Sequence, residues 1–155
     1  MGAGWLRRGG KKLHYWIIML TVAGLDQLTK LWIQEYMGLG QSVPVIGNVL
    51  HVTRVLNQGG AFGLLSGRYF LFLATAIGLI FVVSYYAVYY KPNKALQFGL
   101  GLVSGGALGN LVDRLWHGGV VDFIDLGFWP VFNLADSAIV VGTAWLALLL
   151  LKSRG

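Results

Sequence analysis

The chain contains four long apolar stretches, and this pattern constrains its fold more than any other feature of the sequence. They lie at about 13–33, 69–89, 95–115 and 131–151. Each holds about 20 residues, which at about 1.5 Å per helical residue is enough to cross the hydrocarbon core of a bilayer. Apolar residues make up 56% of the 155 residues and charged residues only 12%, which is typical of a membrane protein. The sequence therefore predicts a mainly α-helical, four-transmembrane-helix bundle that forms a single integral membrane domain over residues 1–155.

The distribution of basic residues predicts the orientation of this bundle. Eight of the twelve Lys and Arg residues lie before the first stretch, between the second and third, or after the fourth: Arg7, Arg8, Lys11, Lys12, Lys91, Lys94, Lys152 and Arg154. Because cytoplasmic loops are enriched in Lys and Arg, we expect both termini and the loop at 90–94 to face the cytoplasm. The net charge of +6 then indicates contacts with anionic lipid, and we expect no nucleic-acid partner.

All six acidic residues fall toward the opposite side of the predicted bundle. They are Asp26, Glu35, Asp113, Asp122, Asp125 and Asp136. An ionisable side chain inside a membrane span costs about 2.5 to 3.5 kcal/mol on insertion scales, so such residues usually mark a functional site. Antiparallel packing of the helices brings Asp26, Asp113 and Asp136 to one depth. Asp26 and Lys30 are spaced i, i+4 and can neutralise each other on one helix face.

The two outer connections differ in length and composition. The first, at about 34–68, contains β-branched runs at 42–45 and 49–56 that are separated by Gly47-Asn48, which predicts a small hairpin or sheet. Gly59, Gly60 and Gly63 then predict a flexible or tightly turned return to the membrane. The second connection, at about 116–130, is predicted to be a loop.

Asp122 and Asp136 are the pair of residues that most clearly predicts a catalytic function. Asp136 opens the fourth stretch, and Asp122 lies in an apolar loop segment just before it. Two carboxylates that approach within a few ångströms cannot readily both ionise, so one keeps its proton while the other acts as a base. Such a pair can activate water against an amide carbonyl. Asp125, at i+3 from Asp122, is a second partner that spacing alone leaves open.

Other hydrolytic chemistries fit the sequence poorly. The chain has no cysteine and no HExxH motif, and its three histidines are scattered, so we expect neither a thiol nucleophile nor a metal site, and no cofactor. Ser104 would need a basic partner at its own depth. Since His14 is expected near the cytoplasmic boundary, we interpret Ser104 as a packing residue.

Five short segments occur in a recognisable order. They read Asp-Gln-Leu-Thr-Lys at 26–30, Asn-Gln-Gly-Gly-Ala-Phe at 57–62, Gly-Gly-Ala-Leu-Gly-Asn-Leu-Val-Asp-Arg at 105–114, Val-Asp-Phe at 121–123 and Phe-Asn-Leu-Ala-Asp-Ser at 132–137. With these motifs the chain resembles, over nearly its whole length, bacterial lipoprotein signal peptidase, also called signal peptidase II.

The resemblance implies an intramembrane aspartic endopeptidase that cuts diacylglyceryl-modified prolipoproteins immediately before the lipidated cysteine. It implies a monomer in the bacterial cytoplasmic membrane, with its active site at the extracytoplasmic face and with membrane phospholipid around it. The catalytic dyad maps onto Asp122 and Asp136, which leaves Asp125 outside the pair. The positions that support the dyad and the substrate match Asp26, Lys30, Asn57, Asn110, Asp113, Arg114, Asn133 and Ala135.

The family's extracytoplasmic β-sheet, or cradle, and its short amphipathic arm correspond to the 34–68 region. One departure is visible there, because the family segment more often reads Asn-Thr-Gly-Ala-Ala-Phe, whereas Gln58 and Gly60 stand here in place of Thr and Ala. This difference affects the expected contacts of the substrate-side loop and leaves the carboxylates unchanged.

Two alternatives to a peptidase have different sequence signatures. A proton-coupled transporter or channel subunit also keeps carboxylates within helices, but here the acids gather at one face and the chain shows no internal repeat. A non-catalytic assembly or anchoring subunit would suit the third stretch, in which Gly101, Gly105 and Gly109 recur every fourth residue and favour close helix packing.

Overall fold

The computed structural model describes residues 13–47, 49–58 and 69–153. Within these ranges the chain forms four α-helices and three β-strands. The helices are α1 (Leu13–Tyr36), α2 (Tyr69–Tyr90), α3 (Lys94–His117) and α4 (Leu134–Lys152), and the strands are β1 (Ser42–Ile46), β2 (Leu50–Asn57) and β3 (Val120–Asp125). All four helices are long and apolar enough to cross a membrane. The predicted bundle of four spans with a small sheet is confirmed.

Helix α3 lies at the centre of the bundle and is largely buried, whereas α1, α2 and α4 pack around it and expose most of their apolar surface. Adjacent glycines of α3 serve different neighbours. A Cβ added at Gly105 would lie 2.7 Å from the backbone oxygen of Met19 on α1, and one added at Gly106 would overlap the backbone oxygen of Ala135 on α4. The small residues therefore let two helices approach the backbone of α3 from two sides.

The two ends of the segment between α3 and α4 are set by local sequence. Gly118 ends α3 in a left-handed conformation (φ 70°), and its N–H donates to the Arg114 oxygen at 3.1 Å. Asn133 begins α4 as an N-cap, because its side-chain oxygen accepts the Asp136 N–H at 2.8 Å. Helix α4 thus starts three residues after the predicted start of the fourth span at 131.

The sheet is antiparallel in the order β1-β2-β3. The predicted hairpin corresponds to β1 and β2, but the prediction that 116–130 is only a loop was wrong, because β3 lies within it. Strand β3 pairs with β2 so that Asn57 faces Val120 and Val55 faces Asp122. This pairing depends on a partner strand more than sixty residues earlier in the chain, which short-range patterns do not reveal. The sheet therefore joins the two outer connections and carries Asp122.

Some expectations fall on residues outside the described ranges. These are the basic residues Arg7, Arg8, Lys11, Lys12 and Arg154, together with Asn48, Gly59, Gly60 and Gly63. Between the end of α1 and the start of β1, residues 37–41 form a turn and no separate helix. The amphipathic arm is therefore not seen in the described part of 34–68, and the glycine-rich return stays a prediction.

Candidate active site

Asp122 is held on β3 by two side-chain amides. Its side chain is 1% exposed. Asn57 donates to Oδ2 at 2.9 Å, and Asn133 donates to Oδ1 at 2.7 Å. Burial raises the pKa of Asp122 to about 7; the hydrogen bond from Asn57 opposes this rise, and the nearby charge of Asp136 adds to it. Asp122 can therefore exchange a proton near neutral pH.

Asp136 lies in the first turn of α4, where Oδ1 accepts a hydrogen bond from the Asn110 side-chain amide at 2.8 Å. Asp136 and Asp122 line the same cleft, which has a volume of about 230 Å³. The other residues that line it are Asn57, Asn110, Arg114, Val120, Trp129, Pro130, Val131 and Phe132. Two carboxylates from different elements thus face one space large enough for a peptide bond and a water molecule.

The amide groups of Asn110 and Asn133 have a fixed orientation. The oxygen of Asn133 accepts the Asp136 N–H, so its amino group faces Asp122 and, at 3.1 Å, the side-chain oxygen of Asn110. That Asn110 oxygen also accepts a hydrogen bond from Lys30 at 3.0 Å, so the amino group of Asn110 faces Asp136. Each carboxylate therefore receives an N–H donor whose direction is determined by other bonds.

Lys30 is the centre of a buried ion cluster behind the cleft. Its Nζ lies 2.7 Å from Asp26 Oδ2 and 2.9 Å from Asp113 Oδ2, and the side chains of all three residues are at most 1% exposed. With the hydrogen bond to Asn110, all three donors of the ammonium group have a partner. The expected pairing of Asp26 with Lys30 at i, i+4 is present, and Asp113 completes it.

The two carboxylates of this cluster also bind the backbone directly before each cleft aspartate. Asp26 Oδ1 accepts the N–H of Ala135 at 2.9 Å, and Asp113 Oδ2 accepts the N–H of Val121 at 2.8 Å. The first bond also satisfies a free N–H in the opening turn of α4, where a negative charge is favourable. The ion cluster therefore links the backbones that carry Asp122 and Asp136.

Arg114 lies one turn after Asn110 and lines the cleft. Its Nη1 donates to the Asn110 backbone oxygen at 3.3 Å, and its Cζ lies 5.2 Å from the centre of the Phe72 ring. Tyr69, at the start of α2, donates to the Arg114 backbone oxygen at 3.0 Å. The Arg114 side chain therefore places a positive charge at the cleft, and Tyr69 joins the first turn of α2 to the same part of α3.

Asp125 and Ser104 lie away from the cleft. Asp125 accepts hydrogen bonds from the Thr53 hydroxyl at 2.7 Å and from the Gly127 N–H at 2.9 Å, and these bonds lower its pKa. Residues three apart on a strand point to opposite faces, which explains why Asp125 is separated from Asp122. Ser104 is buried and accepts a hydrogen bond from the Tyr15 hydroxyl at 3.0 Å, as a packing residue would.

A sequence model of the signal peptidase (SPase) II family matches residues 18–152. The chain belongs to the signal peptidase II family. Lipoprotein signal peptidases of Halothermothrix orenii and Pelotomaculum thermopropionicum are 45% and 48% identical to it over 87% and 90% of its length and 93% of theirs. The resemblance inferred from the five motifs is confirmed.

Two solved structures, each described as a bacterial membrane enzyme, share this fold. Their TM-scores are 0.85 and 0.80 at 35% and 36% sequence identity, and the matches cover 91% and 89% of this chain and 89% and 92% of the other chains. Since signal peptidase II is a protease family, the prediction of an enzyme is confirmed, and the transporter and anchoring-subunit alternatives are set aside.

The residues that the signal peptidase II motifs selected come together around one cleft. Asp122, Asp136, Asn57, Asn110 and Arg114 line it. Asp26, Lys30, Asp113, Asn133 and Ala135 form the hydrogen-bonded layer behind it. Within the described residues, no three His, Asp or Glu side chains form an arrangement that could bind a metal ion.

Gln27 contacts the buried ion cluster, although it was not among the predicted site residues of the 26–30 motif. Its Nε2 donates to Asp113 Oδ1 at 2.7 Å and to the Gly109 backbone oxygen at 3.0 Å. The available signal was its position beside Asp26 within an apolar helix. A neutral amide costs less to insert into a membrane than a charged group, so its presence in an apolar helix is a weaker indication of a functional site.

Proposed function

We propose that this chain is an intramembrane aspartic endopeptidase that removes the signal peptide from diacylglyceryl-modified prolipoproteins, with Asp122 and Asp136 as its catalytic pair. One observation carries the proposal: two carboxylates, from β3 and from α4, line the same cleft, and each accepts a hydrogen bond from an oriented amide. The substrate class is supported by the relatives, which are lipoprotein signal peptidases.

In this proposal the pair starts the reaction with one proton, which we assign to Asp122 because burial raises its pKa to about 7. Asp136 takes a proton from water as the water oxygen attacks the scissile carbonyl carbon, and Asp122 gives its proton to the carbonyl oxygen. When the C–N bond breaks, the leaving nitrogen takes the proton from Asp136. The hydroxyl of the tetrahedral intermediate returns a proton to Asp122, so the enzyme regains its starting state.

The amides and the ion cluster support this chemistry. Asn57 and Asn133 hold Asp122, and Asn110 holds Asp136, so neither carboxylate needs to reorient during the reaction. Asp26 and Asp113, bridged by Lys30, fix the backbones that precede the pair. Arg114 brings a positive charge to the rim of the cleft, which suits the phosphate of a membrane phospholipid.

A lipid-modified substrate fits the surroundings of Asp136. Beside the cleft lies a mainly apolar groove of about 460 Å³. Its lining residues are Leu126, Phe128, Trp129, Phe132, Asp136, Ser137, Val140 and Val141. A mainly apolar groove that shares Asp136 with the cleft can receive an acyl chain from the bilayer while the peptide bond stays at the cleft.

We assign the cleft to the extracytoplasmic face of the bacterial cytoplasmic membrane and both termini to the cytoplasm. Lys91 follows α2, Lys94 begins α3 and Lys152 ends α4, so these basic residues lie at the opposite ends of the spans from Asp122 and Asp136. The positive-inside rule supports this orientation. We further propose that the protein acts as a monomer, because all ten proposed site residues come from one chain.

Cleavage of a defined substrate tests the proposed function. Purified protein in detergent or lipid should cut a diacylglyceryl-modified prolipoprotein and leave the same precursor with an unmodified cysteine intact. Mass spectrometry should find the new N-terminus at the lipidated cysteine. Equal cleavage of both precursors, or a cut elsewhere, would reject the assigned specificity, and absence of any cleavage would reject the peptidase.

A further inference from the structure

Arg54 ties the sheet to the membrane-spanning bundle. Its Nη1 donates to the backbone oxygens of Gln34 at 3.1 Å and of Met37 at 2.6 Å. Both oxygens lie at the C-terminal end of α1, where carbonyls lack partners within the helix and where a positive charge is favourable. The Arg54 side chain therefore caps α1 from β2.

A β-bulge accounts for the direction of the Arg54 side chain. Val52 faces Ile124 and Val55 faces Asp122, so Thr53 and Arg54 together lie opposite one residue of β3. The Thr53 hydroxyl bonds to Asp125 on one side of the sheet, whereas Arg54 reaches α1. A bulge commonly redirects a side chain beside an active site.

Asn57 lies three residues after Arg54 on the same strand. Beyond the bulge, β2 pairs regularly with β3, and the Asn57 amide donates to Asp122 Oδ2 at 2.9 Å. The position of this amide relative to the bundle therefore depends on where β2 sits on the end of α1. The Arg54 side chain makes a direct contact between β2 and the end of α1.

We propose that Arg54 is a positioning residue, which holds β2 on the end of α1 so that Asn57 donates to Asp122. The inference rests on the proposed function, since it assigns Arg54 a part in that same site. Nothing in the family motifs includes Arg54, which lies three residues before the Asn57 segment.

The charges that face Asp122 come from three helices: Asp136 on α4, Lys30 on α1 and Arg114 on α3. The hydrogen bond from Asn133 comes from the N-cap of α4. Of the two side-chain amides that donate to Asp122, Asn57 is the one that lies on β2. Because the hydrogen bond from Asn57 lowers the pKa of Asp122, loosening it raises the pKa, and the pair keeps its proton to higher pH.

The test compares four variants of the full-length protein with a matched control. Arg54→Met keeps the apolar stem and removes the donors, Arg54→Lys keeps a positive charge, and Asn57→Ala removes the amide; the fourth variant combines Arg54→Met with Asn57→Ala. Thr53→Val changes the neighbouring bulge residue on the other side of the sheet. Cleavage rates are measured against substrate concentration and pH.

We expect Arg54→Met to lower kcat about tenfold, the order of magnitude for loss of charge-assisted hydrogen bonds. The alkaline limb of its pH–rate profile should move to higher pH, as in Asn57→Ala. Arg54→Lys should recover part of the lost kcat. Adding Arg54→Met to Asn57→Ala should have little further effect, since both act on one bond. Thr53→Val should leave the pH profile unchanged.

Contrary results would distinguish an error in the role of Arg54 from an error in the proposed active site. If Asn57→Ala lowers kcat and Arg54→Met has the wild-type rate and pH profile, the role of Arg54 is overturned and the proposed site stands. If Arg54→Met instead loses activity with an unchanged pH profile, and its loss multiplies fully with that of Asn57→Ala in the double variant, Arg54 only stabilises the fold. If Asn57→Ala itself changes nothing, both the place of Asn57 in the site and the inference fail.

Discussion

Asp122 combines near-complete burial with two amide donors, and this combination determines how it responds to pH. Burial raises its pKa from 3.8 to about 7 because water can no longer stabilise the charged form. The proton is therefore bound below about pH 7 and released above it. If Asp122 supplies the proton of the catalytic pair, the enzyme loses its active form as the pH rises through this value.

We accordingly predict that kcat falls as the pH rises above about 7. Initial rates of prolipoprotein cleavage at saturating substrate, from about pH 5.5 to about pH 9, measure this directly. Asp125→Asn serves as the control, because the pKa of Asp125 is lowered and its side chain lies away from the cleft. A rate that stays constant up to about pH 9 would contradict the role of Asp122 as proton carrier.

Lys30 is the second residue whose surroundings make a sharp prediction. It separates two buried carboxylates that hold the backbones before Asp122 and Asp136. Lys30→Met leaves those carboxylates without their positive partner, which costs on the order of 3–5 kcal/mol in other buried ion pairs. We expect a lower melting temperature in detergent and a large loss of cleavage. Lys152→Met, at the exposed end of α4, should change neither; equal behaviour of the two variants would show that the buried cluster is dispensable.

At the scale of the helices, the glycines of α3 determine how closely the site-bearing elements approach each other. Gly106 packs against the backbone of Ala135, which directly precedes Asp136, and Gly109 packs against the Asp26 carboxylate. A methyl group at either position would push α4 or α1 away from α3. The close packing of the bundle and the geometry of the cleft are therefore set by the same residues.

Gly106→Ala should destabilise the protein by about 1–3 kcal/mol, as overpacking of a tight contact does, and should also lower the cleavage rate because the start of α4 shifts. Gly78→Ala is the matched control on α2, since an added Cβ there meets no atom within 4 Å. It should raise stability slightly through the better helix propensity of alanine. Thermal unfolding of both variants distinguishes the outcomes; a neutral Gly106→Ala would contradict the packing argument.

The elements differ in how well the sequence predicts them. The four spans follow from composition, because hydrocarbon excludes polar residues over a fixed length. Strand β3 could not be predicted in the same way, since its partner β2 is distant in the chain and its register is set by three-dimensional pairing. Helix α4 begins at Leu134 and not at the predicted residue 131, because the side chain of Asn133 caps the helix by accepting the Asp136 N–H.

The features of the site also differ in how well the sequence predicts them. Asp26, Lys30, Asn110 and Asp113 stand out in apolar helices because polar groups are costly there, and the family motifs identify Asp122 as well. Their hydrogen-bond directions do not follow from the sequence. The shared use of one amide for capping and for holding a carboxylate, the part played by Gln27, and the bulge that directs Arg54 all depend on the folded backbone.

For the whole molecule, the cleft lies where α3, α4 and the sheet meet, and the ion cluster of α1 and α3 lies behind it. The two aspartates lie on different elements, β3 and α4, and each is anchored through the same ion cluster on α1 and α3. Disturbing any of these elements should therefore alter the geometry of the pair. Helix α2 and the outward surfaces of α1 and α4 expose apolar side chains and are suited to contact with lipid.

The most direct test of the proposed catalytic pair is the cleavage rate of three purified single variants, Asp122→Asn, Asp136→Asn and Asp125→Asn, on the lipid-modified precursor. We predict that the first two lose detectable cleavage, because each removes one member of the proton-sharing pair, while their thermal unfolding shows that they remain folded. Asp125→Asn should retain most of its activity. Substantial cleavage by either folded Asp122→Asn or Asp136→Asn would contradict the account.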